Sequence, residues 1–348
     1  MRLPIIILIA LSFACSKKED SVPTEQVSET EVSAAKPDAP AENATPTEAA
    51  WAGSQFDQAG LPAELQGPAP SQGERPSLRV VEPGSNPSHR LRWEVKPGFE
   101  QMLSMNLRSR AKVLIGGVLA AKAPWHSATY AIKLKAEKVE PGGALRVAVT
   151  IDELEAQYEE GKSPALNERL AKAVAQLRGL TGAYTMDPRG WVKSVELGAP
   201  PDALREAHDM VDNLKWAFHQ MIPSLPQERV GVGTQWTVHR GAMQGGIAAN
   251  ELSTMQISKL QGTRVDIKTQ SQQAAQPQTF QLPGYPVPME LVKFAAEGKG
   301  EVWWDLRELT PRTARVIFTV HGVFIYDKDG ERLSMFNTTT RSLRIPAK

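Results

Sequence analysis

The stretch YAIKLKAEKVEPGGALRVAVTI, residues 130–151, alternates between apolar and polar side chains on both sides of a glycine-containing turn. Its first half places Tyr130, Ile132 and Leu134 on one face and charged residues on the other. Such alternation is typical of a half-buried strand, and Pro141-Gly142-Gly143 suits a turn between two strands. The stretch therefore predicts a long antiparallel hairpin with one face directed to a core.

Three further turns predict hairpins elsewhere in the chain. In Asp187-Pro188-Arg189-Gly190 the proline presets the first central position of a turn and the glycine closes it. Gln261-Gly262-Thr263 precedes a run that alternates through Val265 and Ile267, and Asp327-Lys328-Asp329-Gly330 separates two long runs rich in strand-forming residues. Repeated hairpins of this kind predict an antiparallel sheet.

Two segments have the apolar spacing of helices. The first begins at Ser163-Pro164, a capping residue followed by proline at the first helical position, and ends before Gly179. The second runs over 202–222 with a single apolar stripe. Because one apolar stripe needs a surface to cover it, each helix is expected to lie against the sheet. The predicted fold class is α+β, a curved antiparallel β-sheet (half-barrel) with two or more helices packed on it.

Two short segments also suggest an internal duplication. Gly182–Asp187 follows the turn at Gly142, and Gly300–Asp305 follows the turn at Gly262 at a similar spacing. Each has a glycine, four residues of mostly strand-forming type and an aspartate suited to starting a turn. A coincidence of two short segments is the alternative.

The N-terminus predicts export and a lipid anchor. Residues 1–14 read MRLPIIILIALSFA, which has the length of a signal peptide and is too short for a membrane-spanning helix of about 20 residues. Residues 11–15 resemble the recognition sequence of lipoprotein signal peptidases, although Ser12 and Phe13 depart from the usual pattern. Cys15, the only cysteine in the sequence, is then the lipidated residue that tethers the protein to a membrane. An ordinary signal peptide with an incidental cysteine is the alternative.

Residues 15–77 are predicted to consist of the lipidated cysteine followed by a disordered linker. Pro, Ala, Glu, Ser, Thr and Gln dominate this region, and such a composition buries too little apolar surface to offset the entropy of ordering. Trp51 and Phe56 interrupt it, either as a short docking motif or as stray apolar residues. Residues 78–348 are expected to form a single domain of antiparallel sheet and helices.

Composition and motifs argue against several classes of function. Lys and Arg number 40 against 39 Asp and Glu, a balance that lacks the basic footprint of a nucleic-acid-binding protein. One cysteine and six histidines disfavour a structural metal site, and no cofactor is predicted. Neither a phosphate-binding loop nor a nucleophile motif is present, so no catalytic residue is proposed and the protein is expected not to be an enzyme.

The stretch LPQERVGVGTQW, residues 225–236, resembles a recurring phrase of a family of uncharacterised bacterial lipoproteins. With the arrangement of strands, hairpins and helices, residues 90–345 also resemble the periplasmic lipoprotein-carrier (LolA-like) superfold. The resemblance implies a curved sheet with helices over its concave face. Ser16, directly after the cysteine, is similar to the signal that sorts lipoproteins to the outer membrane, which implies a lipid-anchored protein of the bacterial cell envelope that faces the periplasm.

The feature that most suggests a ligand is the proline-rich apolar loop 281–290. Such a loop beside a curved sheet predicts either the mouth of a cavity for a lipid-like ligand or a simple cover for the sheet. The first interpretation assigns ligand contacts to Tyr285, Phe294, Trp304 and Phe218. The alternative function is a structural or assembly subunit that binds another envelope protein through an apolar patch or sheet edge.

Overall fold

The structure is a computed structural model that describes residues 61–158, 164–280, 287–328 and 330–347. The predicted signal peptide, Cys15, Trp51, Phe56 and Tyr285 lie outside the described residues. The predictions made for them therefore stay predictions.

Sixteen strands and three helices form in the described ranges. The strands are β1 (Ser77–Glu82), β2 (Ser85–His89), β3 (Glu100–Ile115), β4 (Val118–Lys122), β5 (His126–Val139), β6 (Leu145–Tyr158), β7 (Thr181–Met186), β8 (Val192–Glu196), β9 (Val230–Val232), β10 (Gln235–Gln244), β11 (Ile247–Gln261), β12 (Arg264–Ala275), β13 (Gln278–Phe280), β14 (Met289–Asp305), β15 (Thr313–Lys328) and β16 (Glu331–Ile345). The helices are α1 (Ala63–Gln66), α2 (Pro164–Leu177) and α3 (Arg205–Met221).

Fourteen of these strands form one large antiparallel sheet. Its order is β1-β10-β11-β12-β14-β15-β16-β3-β5-β6-β7-β8, with β4 beside β3 and β13 beside β14. The strands β2 and β9 form a separate pair. Within the described ranges the two edge strands, β1 and β8, do not pair with each other, so the sheet is open. The pairing of β3 with β16 joins the first half of the chain to the second.

The hairpin predicted from residues 130–151 is confirmed. The strands β5 and β6 pair from His126 opposite Tyr158 to Val139 opposite Leu145. Tyr130, Ile132 and Leu134 are at most 1% exposed, as alternation requires. Burial of each such side chain contributes about 1.5–3 kcal/mol to folding, which explains why this register is preferred. The other predicted hairpins also form, as β7–β8, β11–β12 and β15–β16.

Both predicted helices form and cover one face of the sheet, called here the inner face. The helix α3 begins at Arg205, three residues later than expected, and buries its apolar stripe, including Leu214 and Phe218. It contacts β3, β8 and β15, while α2 packs against β6 and α3. The prediction of an antiparallel sheet with packed helices is confirmed in this general form. Strands account for 58% of the described residues and helices for 13%, so the sheet dominates and the helices act as its cover.

The packed structure begins upstream of position 78, where the composition placed the start of the domain. The short helix α1 contacts β11 and β12 on the large sheet, and Leu65 within it is 1% exposed. The Asn250 side-chain amide donates a hydrogen bond to the Gly67 carbonyl oxygen at 2.7 Å. One buried leucine and a few backbone contacts hold this segment. The average composition of residues 15–77 does not reveal such local contacts.

Candidate functional site

The described residues that were assigned to a ligand lie in the closed core. Phe218 and Trp304 are 0% exposed and Phe294 is 1% exposed. The Trp304 ring packs edge-on against Trp93 with centroids 4.1 Å apart, and its indole nitrogen donates to the Glu308 carbonyl oxygen at 3.2 Å. These contacts satisfy the side chain within the protein and leave no face of it for a ligand.

The structure also separates these residues. Phe294 and Trp304 stand ten positions apart on β14, which at about 3.4 Å per residue places them roughly 34 Å apart along the strand. Phe218 lies on α3 and packs against Tyr184, with ring centroids 5.1 Å apart. Because of this spacing, Phe294 and Trp304 cannot both lie near the mouth of one cavity.

The open space lies beneath the middle of α3, in what we call the α3 cavity. Its volume is about 10 Å³, enough for about one water molecule, whereas ligand pockets measure roughly 300–1,000 Å³. Leu107, Tyr130 and Met210 form part of its apolar wall. The polar residues that line it are Arg108, Ser109, His126, Asn213, Trp216, Arg341 and Ser342.

Strand register brings three of the polar groups together. Ser109 on β3 lies opposite both Arg341 on β16 and His126 on β5, and directly opposed residues project from the same face. The Ser109 hydroxyl oxygen lies 3.2 Å from Nδ1 and 3.4 Å from Nε2 of His126. Nearly equal distances to both nitrogens mean that the hydroxyl oxygen lies out of the plane of the imidazole ring and is aligned with neither nitrogen. This geometry does not direct the serine at a lone pair of the base, as an activated nucleophile requires.

Arg341 and Trp216 contact each other in the polar wall of the α3 cavity. Arg341 Nη1 donates to Gln244 Oε1 at 3.0 Å, and the guanidinium lies over the Trp216 ring, 5.8 Å from its centroid. Burial lowers the pKa of Arg341, an effect that the nearby Asp209 and Asp212 oppose. Trp216 is 8% exposed, and its Nε1 has no hydrogen-bond acceptor among the described residues.

A second polar cluster on the inner face surrounds Glu251, which is 1% exposed. Arg240 contacts its Oε1 from Nε at 3.0 Å and from Nη2 at 2.6 Å, while Gln273 donates to Oε2 at 2.6 Å. Gln220 on α3 donates to the same Oε2 at 3.2 Å. Burial alone would raise the pKa of Glu251, and the Arg240 charge with the surrounding donors outweighs it and lowers the pKa.

This cluster fixes the C-terminal end of α3 to the sheet. Arg240 Nη1 donates to the His219 carbonyl oxygen at 3.1 Å. Burial, together with the Arg240 charge, lowers the pKa of His219 to about 4, so the imidazole is neutral at pH 7. The cluster also connects to the α3 cavity, because Gln244 contacts both Gln273, at 3.4 Å, and Arg341. All of its charged groups have partners, which is typical of a structural network.

The described part of the chain contains no group of three or more His, Cys, Asp or Glu residues that could hold a metal ion. Among the same residues, no helix is long and apolar enough to cross a membrane. No protein-family model matches the sequence, and no curated protein is significantly similar to it.

The α3 cavity was not predicted from the sequence. Its polar residues come from β3, β5, α3 and β16, and no spacing along the chain connects them. Arg341 lies in β16, where alternation alone assigns it to the core-facing side. A charged residue at an inward position of a strand is the one signal that points here.

Proposed function

We propose that this chain is a bacterial envelope lipoprotein, tethered through Cys15 at the outer membrane and facing the periplasm, that acts by binding another envelope protein and not by catalysis. The signal-peptide-like residues 1–14 and the unique cysteine support the tether. The mode of action rests on the structure of the folded part.

The observation that carries this proposal is the filled interior. The residues assigned to a ligand are at most 1% exposed where they are described, and a second cavity near Gln220 and Phe318 also measures only about 10 Å³. A carrier of a bulky apolar ligand needs far more room. A domain with a packed core acts instead through its surface.

The surface that best fits a partner is the β3–β4 hairpin. Its tip exposes Val118 (71%) and Leu119 (53%), which follow the turn Gly116-Gly117. Positive φ angles of 54° and 81° at these two glycines are those that a two-residue hairpin turn requires. Within the described ranges β4 pairs only with β3, so its outer edge can accept a strand from a partner.

Site-specific photocrosslinking tests this proposal in cells that produce the full chain. A photoreactive amino acid at Val118 is expected to give one reproducible crosslinked protein band. The matched control is the same group at Lys259, an exposed side chain (83%) at the end of β11. Identical patterns at both positions, or no band at Val118, would contradict a partner at this hairpin.

A lipid-like ligand is the second candidate, although the α3 cavity as it stands has room only for a group the size of a water molecule. The cavity has an apolar wall with polar groups at one end, as sites for amphiphilic molecules do. Native mass spectrometry of the purified full chain, followed by organic extraction, is expected to reveal a lipid mass if this is correct. A clean unliganded mass after incubation with envelope lipids would eliminate this candidate.

Hydrogen bonds at residues 93–94 support our inference that the sheet curves as a half-barrel. Trp93 N donates to Pro188 O, next to the end of β7, and Glu94 N donates to Leu306 O, next to the end of β14, both at 3.0 Å. In a flat sheet these strands, six places apart, would be separated by about 29 Å. Trp93 and Glu94 are adjacent in the chain, with Cα atoms only about 3.8 Å apart, and each is bonded next to the end of one of these strands. This supports an approach of the two strand ends, as in a curved sheet.

The strands β7 and β14, and the turns that follow them, support our inference of an internal duplication. Gly182 lies opposite Val149, which is seven positions after the turn glycine Gly142. Gly300 likewise lies opposite Thr269, which is seven positions after the turn glycine Gly262. In both turns the aspartate accepts a hydrogen bond from the backbone nitrogen of an arginine two residues later. The pairs are Asp187 with Arg189 at 2.9 Å and Asp305 with Arg307 at 3.2 Å.

A further inference from the structure

The β3–β4 hairpin carries a pair of like charges on the outer face of the sheet, opposite the inner face. Ala111 and Val113 on β3 belong to the buried core, so Lys112 between them projects from the outer face. Lys122 on β4 lies directly opposite Lys112 and shares that face. Ala123 N donates to Ala111 O at 2.9 Å. Ladder bonds alternate, so the neighbouring lysines form the closer, non-hydrogen-bonded type of pair, with Cα atoms about 4.5 Å apart.

Like charges at directly opposed positions destabilise a pair of strands. Lys112 and Lys122 are both exposed, and neither has a carboxylate within 4.0 Å among the described residues. The repulsion between them is therefore not offset by an ion pair in the described part of the chain. A carboxylate placed beside the two lysines would offset it.

Two arginines extend the positive charge along β3. Arg110 and Arg108 lie on the same face as Lys112, in steps of two residues or about 7 Å. Their guanidinium carbons lie 4.7 and 4.9 Å from the centre of the Trp125 ring, so the indole holds both side chains in position. The residues of β16 that lie opposite these basic side chains are uncharged. We call the following residues the basic row: Arg108, Arg110, Lys112 and Lys122.

The free edge of β4 lies beside this basic row. Because the pair of Lys122 with Lys112 is of the non-hydrogen-bonded type, the backbone N–H and C=O of Lys122 point away from β3. In the described ranges, no strand other than β3 pairs with β4. A strand added at this edge would place the residue opposite Lys122 on the outer face, next to the basic row.

We propose that the partner of the β3–β4 hairpin binds through an extended acidic segment, which adds to the edge of β4 and places carboxylates against the basic row. Alternate residues of an added strand project from one face, so acidic residues two positions apart meet the row together. Opposite charges at paired positions stabilise a sheet, whereas a neutral or basic segment would leave the lysine repulsion in place. This inference rests on the proposed function, because it specifies the partner of the same hairpin.

Anionic membrane lipids are the other occupant that a row of basic residues attracts. The edge of β4 favours a polypeptide, because lipid headgroups cannot continue the ladder of backbone hydrogen bonds that a strand edge offers. Attachment to lipid is therefore treated as an outcome that opposes the inference.

The photocrosslinking experiment with the reactive group at Val118 of the full chain also tests this inference. Tandem mass spectrometry of the crosslinked product identifies the attached peptide. We expect it to contain at least two Asp or Glu residues and no Lys or Arg within five residues of the crosslink, the length of β4.

Charge reversal at the hairpin tests the basic row itself. Lys112→Glu with Lys122→Glu should lower the yield of the crosslink about tenfold, because attraction becomes repulsion at both positions. Arg79→Glu with Lys259→Glu makes the same change in net charge at exposed positions of β1 and β11, and it should leave the yield unchanged. If urea unfolding shows that the hairpin variant does not fold, Lys112→Gln with Lys122→Gln replaces it, with an expected loss of about threefold.

The outcomes separate this inference from the proposed function. Absence of a protein crosslink at Val118 would contradict both. A reproducible partner would leave the proposed function standing but overturn the acidic segment if the attached peptide is neutral or basic, or if the hairpin variant keeps the native yield. A crosslink to phospholipid in place of protein would also overturn it and would assign the basic row to the membrane surface.

Discussion

Replacing Arg240 by methionine leaves the buried carboxylate of Glu251 without its counter-charge. Breaking a buried ion pair from one side costs about 3–5 kcal/mol of unfolding free energy. Gln273, Gln220 and Ser253 still donate to the carboxylate at 2.6, 3.2 and 3.2 Å, so we expect the lower end, about 3 kcal/mol at pH 7. The side chain of Glu251 is only 1% exposed, so water cannot replace the lost partner.

The variant should also reverse the pH dependence that Glu251 imposes. In the native protein the pKa of Glu251 is lowered, so its contribution is present above the unfolded-state pKa and is lost as the pH falls through the folded-state pKa. Without Arg240, burial becomes dominant and raises the pKa. The carboxylate then contributes stability only while protonated, and that contribution is lost as the pH rises. The cost of Arg240→Met should therefore shrink between pH 7 and pH 4.5.

Urea unfolding of the full chain, followed by far-ultraviolet circular dichroism at both pH values, measures this cost. The double variant Arg240→Met with Glu251→Gln should recover most of the lost stability, because the uncompensated charge is gone. Arg344→Met, at an exposed position, serves as the control. A loss under about 1 kcal/mol at pH 7, or the same loss at both pH values, would refute the argument that Glu251 is a buried charge held by Arg240.

Three further predictions concern the core, the turn between β7 and β8, and the lipid tether. Trp304→Ala should lower the unfolding free energy by about 3–5 kcal/mol, measured by the same urea unfolding, whereas a surface ligand contact would cost little. Gly190→Ala should cost more than Gly142→Ala in thermal unfolding, because φ is positive at both sites but only at Gly190 would a Cβ meet Pro223 O and the Trp93 indole nitrogen. Cys15→Ser should move the protein from the membrane to the soluble fraction on cell fractionation, and retention in the membrane would contradict the lipid tether.

Local patterns in the sequence predicted the local elements. The alternation in residues 130–151 corresponds to a hairpin in the structure, and the apolar stripe of α3 corresponds to a helix. Both signals depend on neighbours within a few residues. The pairing of β3 with β16 could not be predicted, since nothing in either strand specifies a partner so distant in the chain.

The candidate site was harder to predict, for a physical reason. An apolar aromatic such as Phe294 or Trp304 has the same composition signal whether it lines a cavity or fills a core, and only the packing around it decides. The polar wall of the α3 cavity depends on side chains from several elements, so Trp216 and Arg341 become neighbours only after folding.

The pairing of β3 with β16 also constrains how the chain can be made. Because β16 begins more than 200 residues after β3 ends, the edge of β3 that it covers must wait, with unpaired backbone groups, until that length of chain has been synthesised. Pairings between such distant segments make folding slow and expose the waiting strand to aggregation. If the chain is exported, this delay suits a protein that crosses a membrane unfolded and completes its central sheet only on the far side.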